Sequence, residues 1–104
     1  MDFTIKNIDK NVVSVARELG YVIIDTKESR EYNMVRKLGY GGNYPRFHVY
    51  LKQQVGDFVF SLHLDQKAPI YKGVGVHAHN GEYFGPVIDE EIGRIKDILA
   101  NKSL

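Results

Sequence analysis

The chain predicts a single α+β domain spanning residues 1–104. It is a largely antiparallel sheet of four to five strands with two amphipathic helices on one face, in the order β-α-β-β-β-β-α. Three observations point there. Two stretches, one early and one at the end, repeat apolar residues at helical spacing. Between them, residues 47–65 alternate apolar and polar side chains twice, around a turn near Val55-Gly56. That is the pattern of a hairpin with one buried face. Finally, 104 residues suffice for one core and not for two.

Phe3-Thr4-Ile5 alternates, which predicts a first strand over residues 2–7. Asp9 is placed to cap the helix that follows, where Val12, Ala16 and Leu19 form the apolar stripe and Gly20 the stop. Tyr21-Val22-Ile23-Ile24 is β-branched and aromatic, a second strand. The helix between them is a crossover if the two strands are parallel neighbours. Thr26 to Arg30 reads as a charged turn, and Tyr32 to Leu38 as a third strand with Met34 and Val35 on opposite sides. Residues 39–45 hold three glycines and a proline. No Lys-Ser/Thr pair follows and no helix opens there, so this is a connector and not a phosphate cradle.

In the hairpin, Phe47, Val49 and Leu51 alternate with His48, Tyr50 and Lys52. Phe58, Phe60, Leu62 and Leu64 alternate with Val59, Ser61, His63 and Asp65. A two-residue loop sets His48 opposite His63, and a four-residue loop sets it opposite Ser61. Either register leaves the two histidines on one face. Residues 66–86 are punctuated by glycine and proline, with a short strand expected near Val74 to His79. The last helix is expected over residues 87–101, with Ile88, Ile92, Ile95 and Leu99 inward. Asp89, Glu90 and Glu91 would lie at its positive end, with Glu90 paired to Arg94. Gly93 weakens that helix, and close packing on the sheet would account for it.

The composition narrows the chemistry. The absence of cysteine removes disulfides, thiolate metal sites and thiol catalysis. No apolar run approaches a membrane span, and the start of the chain lacks the pattern of a secretory signal. A cytoplasmic protein with no membrane partner is therefore the expectation. Residues 30–72 carry seven basic against three acidic side chains, interleaved with tyrosines. A basic and aromatic surface suits RNA, with Tyr44, Arg46, Tyr50 and Lys52 as contacts.

The four histidines all fall between positions 48 and 79. Zinc accepts imidazole nitrogen and carboxylate oxygen, and a catalytic site needs three protein ligands and one open position. His63, His77 and His79 form one such set, with Asp65 or Glu82 as further ligand or orienting partner. This supports divalent-metal binding, zinc first, with hydrolysis as the activity it would serve. A metal-free alternative uses His48, His63 and Asp65 as catalytic acid–base groups on an RNA phosphodiester, with Lys52 beside them. The spacing departs from the paired His-x-Ser/Thr elements of two-histidine phosphoesterases: here it is His48-Val49-Tyr50 and His63-Leu64-Asp65. A third reading is RNA binding without catalysis. A fourth is that the histidines and tyrosines line a homodimer contact.

Three phrases, residues 45–52, 62–67 and 79–87, resemble in content and order an uncharacterised group of small prokaryotic proteins. The resemblance spans about residues 34–98. It implies a small soluble prokaryotic protein and carries no catalytic residue across. The element order also has features in common with double-stranded-RNA-binding and HicA-toxin-like folds, a likeness of architecture only.

Overall fold

Among the described residues, every strand pairing in the sheet is antiparallel. The computed structural model describes residues 1–27, 30–39, 41–66 and 81–100. The elements are β1 (Asp2–Lys6), α1 (Val12–Leu19), β2 (Val22–Lys27), β3 (Glu31–Lys37), β4 (Arg46–Gln54), β5 (Asp57–Asp65), β6 (Gly81–Glu82) and α2 (Pro86–Ala100). The spatial order is β1-β5-β4-β3-β2, and the short β6 pairs with the far end of β5 beyond β1. The α+β class and element order match the sequence pattern.

β1 and β2 are not neighbours. They lie at opposite edges, so α1 carries the chain across the whole width of the sheet rather than closing a crossover between adjacent strands. The helix starts later than Asp9 suggests. Asn11 is extended, and its side chain accepts from the Ser14 amide at 2.8 Å. Position 11 directly precedes the first buried residue of the stripe, which is where a cap belongs. Gly20 ends the helix at φ 82°, a left-handed turn that glycine takes without strain. β2 runs past the expected turn to Lys27, and its register slips between Ile23 and Asp25.

The hairpin has the two-residue turn. Gln54 pairs with Asp57, and His48 with His63. Gly56, at φ 74°, supplies the left-handed corner. Alternation then sorts the side chains. Met34, Phe47, Val49, Leu51, Phe58, Phe60, Leu62 and Leu64 face α1 and α2 and join their Val12, Val15, Ala16, Leu19, Ile88, Ile95 and Leu99 in one core. Phe3 of β1 stacks on Phe60 at 4.9 Å. Each fully buried aromatic or branched residue contributes about 1.5–3 kcal/mol of transfer free energy.

One member of the helical stripe is charged. The buried positions of α2 are Ile88, Glu91, Ile95 and Leu99, and Ile92 is only half-buried. Glu91, 2% exposed, accepts from the Tyr21 hydroxyl at 2.6 Å, from Arg36 and from Arg94. Arg94 therefore pairs with Glu91, and not with Glu90 as the four-residue spacing suggests. Its Nη2 also reaches the Leu19 carbonyl at 2.6 Å, satisfying the open end of α1. Burial alone would raise the Glu91 pKa, but bonds from Arg94, Arg36 and Tyr21 outweigh it and hold the carboxyl below its ordinary value. Burial, with Glu91 alongside, pushes the Tyr21 phenol far up, so it donates and stays neutral. The network ties α2 to α1, to β3 and to the start of β2. Gly93 differs from expectation too: nothing lies within 4 Å of where its Cβ would be, so packing does not call for a glycine there.

Candidate metal centre

The face of the sheet opposite the helices carries His48, Tyr50 and Lys52 from β4, with Ser61, His63 and Asp65 from β5. Cross-strand pairing brings His48 and His63 together, their ring centroids 4.7 Å apart. Asp65 follows His63 by two residues, so its side chain rises on the same face. Its carboxylate spans the pair: Oδ2 lies 3.2 Å from His48 Nδ1, and Oδ1 lies 2.8 Å from His63 Nε2. Arg46, paired with Asp65 across the strands, places Nε 3.4 Å from Oδ2 and its guanidinium over the Tyr44 ring.

The rest of the surroundings comes from elements distant in sequence. Asn33 of β3 contacts His48 Nε2 through its amide. Tyr83, just after β6, stacks on His63 at 5.0 Å, and Tyr50 packs on His48 at 4.6 Å. Tyr50, His48, His63 and Tyr83 thus form a row of four rings. The outer tyrosines are half exposed and the two histidines only 8% exposed. Burial moves both imidazole pKa values below the usual 6.5. The neighbouring His63 adds to that effect on His48, and Asp65 opposes it at both rings. Both rings are therefore neutral at neutral pH. A neutral His48 has one N–H to give. Held on Nε2, it is donated to the Asn33 side-chain oxygen, which leaves the Nδ1 lone pair on the side of Asp65, available to an ion.

Neutral imidazole and carboxylate are the forms that a divalent cation takes as ligands. One ligand atom from each of His48, His63 and Asp65 lies within 4.8 Å of the other two, so the group can hold a metal ion. A tetrahedral zinc with bonds of about 2 Å spaces its ligands about 3.3 Å apart. The 3.2 Å from Asp65 Oδ2 to His48 Nδ1 is close to that, while His63 Nε2 lies nearest the other carboxylate oxygen, at 2.8 Å.

The expected site residues divide as follows. His48, His63 and Asp65 converge. His77 and His79, with the strand expected around them, lie outside the described residues. Glu82 pairs with Leu64, so it sits on the other face of the strand line; its carboxylate meets Gln66, and it is not a member of the cluster. Lys52 is four residues along β4 from His48, about 13 Å by strand geometry. It is thus not beside the histidines; it lines a shallow cavity of about 230 Å3 with Tyr50 and Ser61. Arg46 lies beside Asp65 with its guanidinium over Tyr44, and Tyr50 ends the row of rings on the His48 side. Asn33 and Tyr83 are participants that sequence patterning does not reveal, because their roles depend on pairings outside the hairpin.

The chain matches no protein-family model, no curated protein and no solved structure. No helix among the described residues is long and apolar enough to cross a membrane.

Proposed function

We propose that the protein binds one divalent metal ion, zinc, through His48, His63 and Asp65, and that the centre serves hydrolysis. The observation that supports this most is the carboxylate of Asp65 set between two neutral, largely buried imidazoles. Three protein ligands leave one position of a tetrahedral ion for water, the arrangement of hydrolytic zinc sites. Asn33 orients His48 as an outer partner. Arg46, 3.4 Å from Asp65, would stabilise an anionic substrate group bound beside the ion. The test is thermal unfolding of protein prepared without an affinity tag, with and without added zinc. Zinc should raise the melting temperature of the wild type and leave that of Asp65→Ala unchanged. An unchanged wild-type value would contradict the reading.

A second reading, binding of single-stranded RNA without catalysis, draws support from the four-ring row with its exposed Tyr50 and Tyr83. The charge of this face argues against a binding mode based on phosphate contacts. By strand alternation it carries Lys6, Lys27, Lys37, Arg46 and Lys52 against Asp2, Asp25, Glu31, Asp57 and Asp65. Five against five leaves no basic footprint among the described strands, which is why the metal reading leads. Stacking would then give RNA affinity with a shallow salt dependence, abolished by Tyr50→Ala and unaffected by a chelator. A steep salt dependence, or affinity that survives Tyr50→Ala, would count against it.

A further inference from the structure

A second site lies on the opposite side of the sheet, where the first half of α2 meets the ends of β3 and β4. A cleft of about 600 Å3 opens there, within the range of small-molecule pockets. Its lining includes Arg36 and Arg94 together with the apolar side chains of Leu38, Phe47 and Val87. Both arginines bind Glu91 through Nε and Nη2, and Nη1 of each takes no part in those bonds. Two guanidinium charges against one buried carboxylate leave this three-residue group with an excess of one positive charge. Arg36 also lies 5.3 Å from the Phe47 ring centroid, which puts that charge directly against the apolar wall.

Two further features bear on the occupant. Glu90 and Asp97 also line the cleft, four residues before and three after Arg94, and so on the same side of the helix. They repel a dianion such as phosphate, but they complement a positive charge carried beside a carboxylate. Gly93 also lines the cleft, with nothing within 4 Å of an added Cβ. A glycine inside a helix weakens it, and here neither packing nor a positive φ accounts for it. What it does is leave the opening unobstructed.

We propose that this cleft binds a free α-amino acid with an apolar side chain. The carboxylate accepts from the Nη1 groups of Arg36 and Arg94. The ammonium meets Glu90 and Asp97, and the side chain lies on Phe47, Leu38 and Val87. This site is separate from the histidine centre, on the other face of the sheet, so its occupancy requires no metal.

The experiment is calorimetric titration of the untagged protein, in a chelator, with L-leucine, L-phenylalanine and the deaminated analogue 3-phenylpropanoate. At least one amino acid should bind, and 3-phenylpropanoate should bind at least tenfold more weakly than phenylalanine. Gly93→Leu projects an apolar side chain into the cleft, leaves every charge in place and favours the helix. It should keep or raise the melting temperature while weakening amino-acid binding at least tenfold. Glu90→Gln with Asp97→Asn should weaken the amino acids and leave 3-phenylpropanoate unchanged or tighter. The proposal is overturned if no amino acid binds, if the analogue binds as well as the amino acid, or if Gly93→Leu binds as the wild type does.

Discussion

His48 and His63 face each other across β4 and β5 with ring centroids 4.7 Å apart, and one carboxylate, that of Asp65, contacts both. Two imidazoles this close cannot both become imidazolium cations without strong repulsion. Burial already disfavours the charged form of each. The pair is therefore held as two neutral nitrogen bases beside a single negative charge, the composition a divalent cation completes.

Removing that charge should cost affinity. Asp65→Asn keeps the shape of the side chain and one weak oxygen donor but loses the carboxylate, so zinc affinity is expected to fall about 10–100-fold. Competition with a chromophoric chelator measures it. Equal affinity in the variant would remove Asp65 from the ligand set.

Arg46 should act in the opposite sense. Its guanidinium lies 3.4 Å from Asp65 Oδ2 and competes with a cation for the same oxygen. Arg46→Met keeps the aliphatic stem and removes the competitor. The expected result in the same competition assay is tighter zinc binding by about tenfold, the size of a partly screened charge interaction over several ångströms. Weaker binding in this variant would mean that Arg46 supports the site.

The histidines also set a pH dependence. Their folded pKa values lie below the unfolded value of 6.5, so between the two the unfolded chain binds more protons. Stability is full above pH 6.5 and is lost as pH falls from there through the depressed values. The melting temperature should drop on acidification below pH 6.5, and the drop should shrink in His48→Gln/His63→Gln. Tyr83→Ala uncovers His63 and should move its titration, followed by NMR, back toward 6.5.

How much of this is legible in the chain depends on the range of the interaction. The hairpin is local: nine alternating residues on each side of the turn keep His48 and His63 on one face in either register that buries the apolar set, and the two-residue loop that forms puts them opposite each other. Asn33 and Tyr83 reach the site through the β3–β4 pairing and the β6 end of β5, neither of which leaves a periodic trace. The burial of the two imidazoles was illegible for the same reason. Strand order is likewise non-local, and nothing near β1 announces that it pairs with β5. Glu91 is a different case. Its position between Ile88 and Ile95 satisfies the helical stripe, and only its residue type directs attention outward. A carboxylate on an apolar stripe, with Arg36, Arg94 and Tyr21 to be satisfied, is the signal the sequence carries.

The Glu91 network should carry much of the attachment of α2. Glu91→Gln leaves two guanidinium groups facing a neutral amide, and the loss is expected to be about 3 kcal/mol. Tyr21→Phe removes one bond to the carboxylate and should cost about 1–2 kcal/mol. Urea unfolding measures both. Because the Glu91 pKa is depressed in the fold, its contribution is present above the ordinary carboxyl range and lost as pH falls through the depressed value. A Glu91→Gln variant as stable as the wild type would show that the network contributes no net stability.

The central claim is that His48, His63 and Asp65 together hold the metal. Isothermal titration of zinc into the untagged protein tests it most directly, run in parallel on His48→Ala/His63→Ala and on His77→Ala/His79→Ala. The account predicts one zinc per chain in the wild type, binding lost by more than about 100-fold when the hairpin pair is removed, and binding within about threefold of wild type when the other pair is removed, less than 1 kcal/mol. Undiminished binding without His48 and His63, or no binding in the wild type, would contradict it.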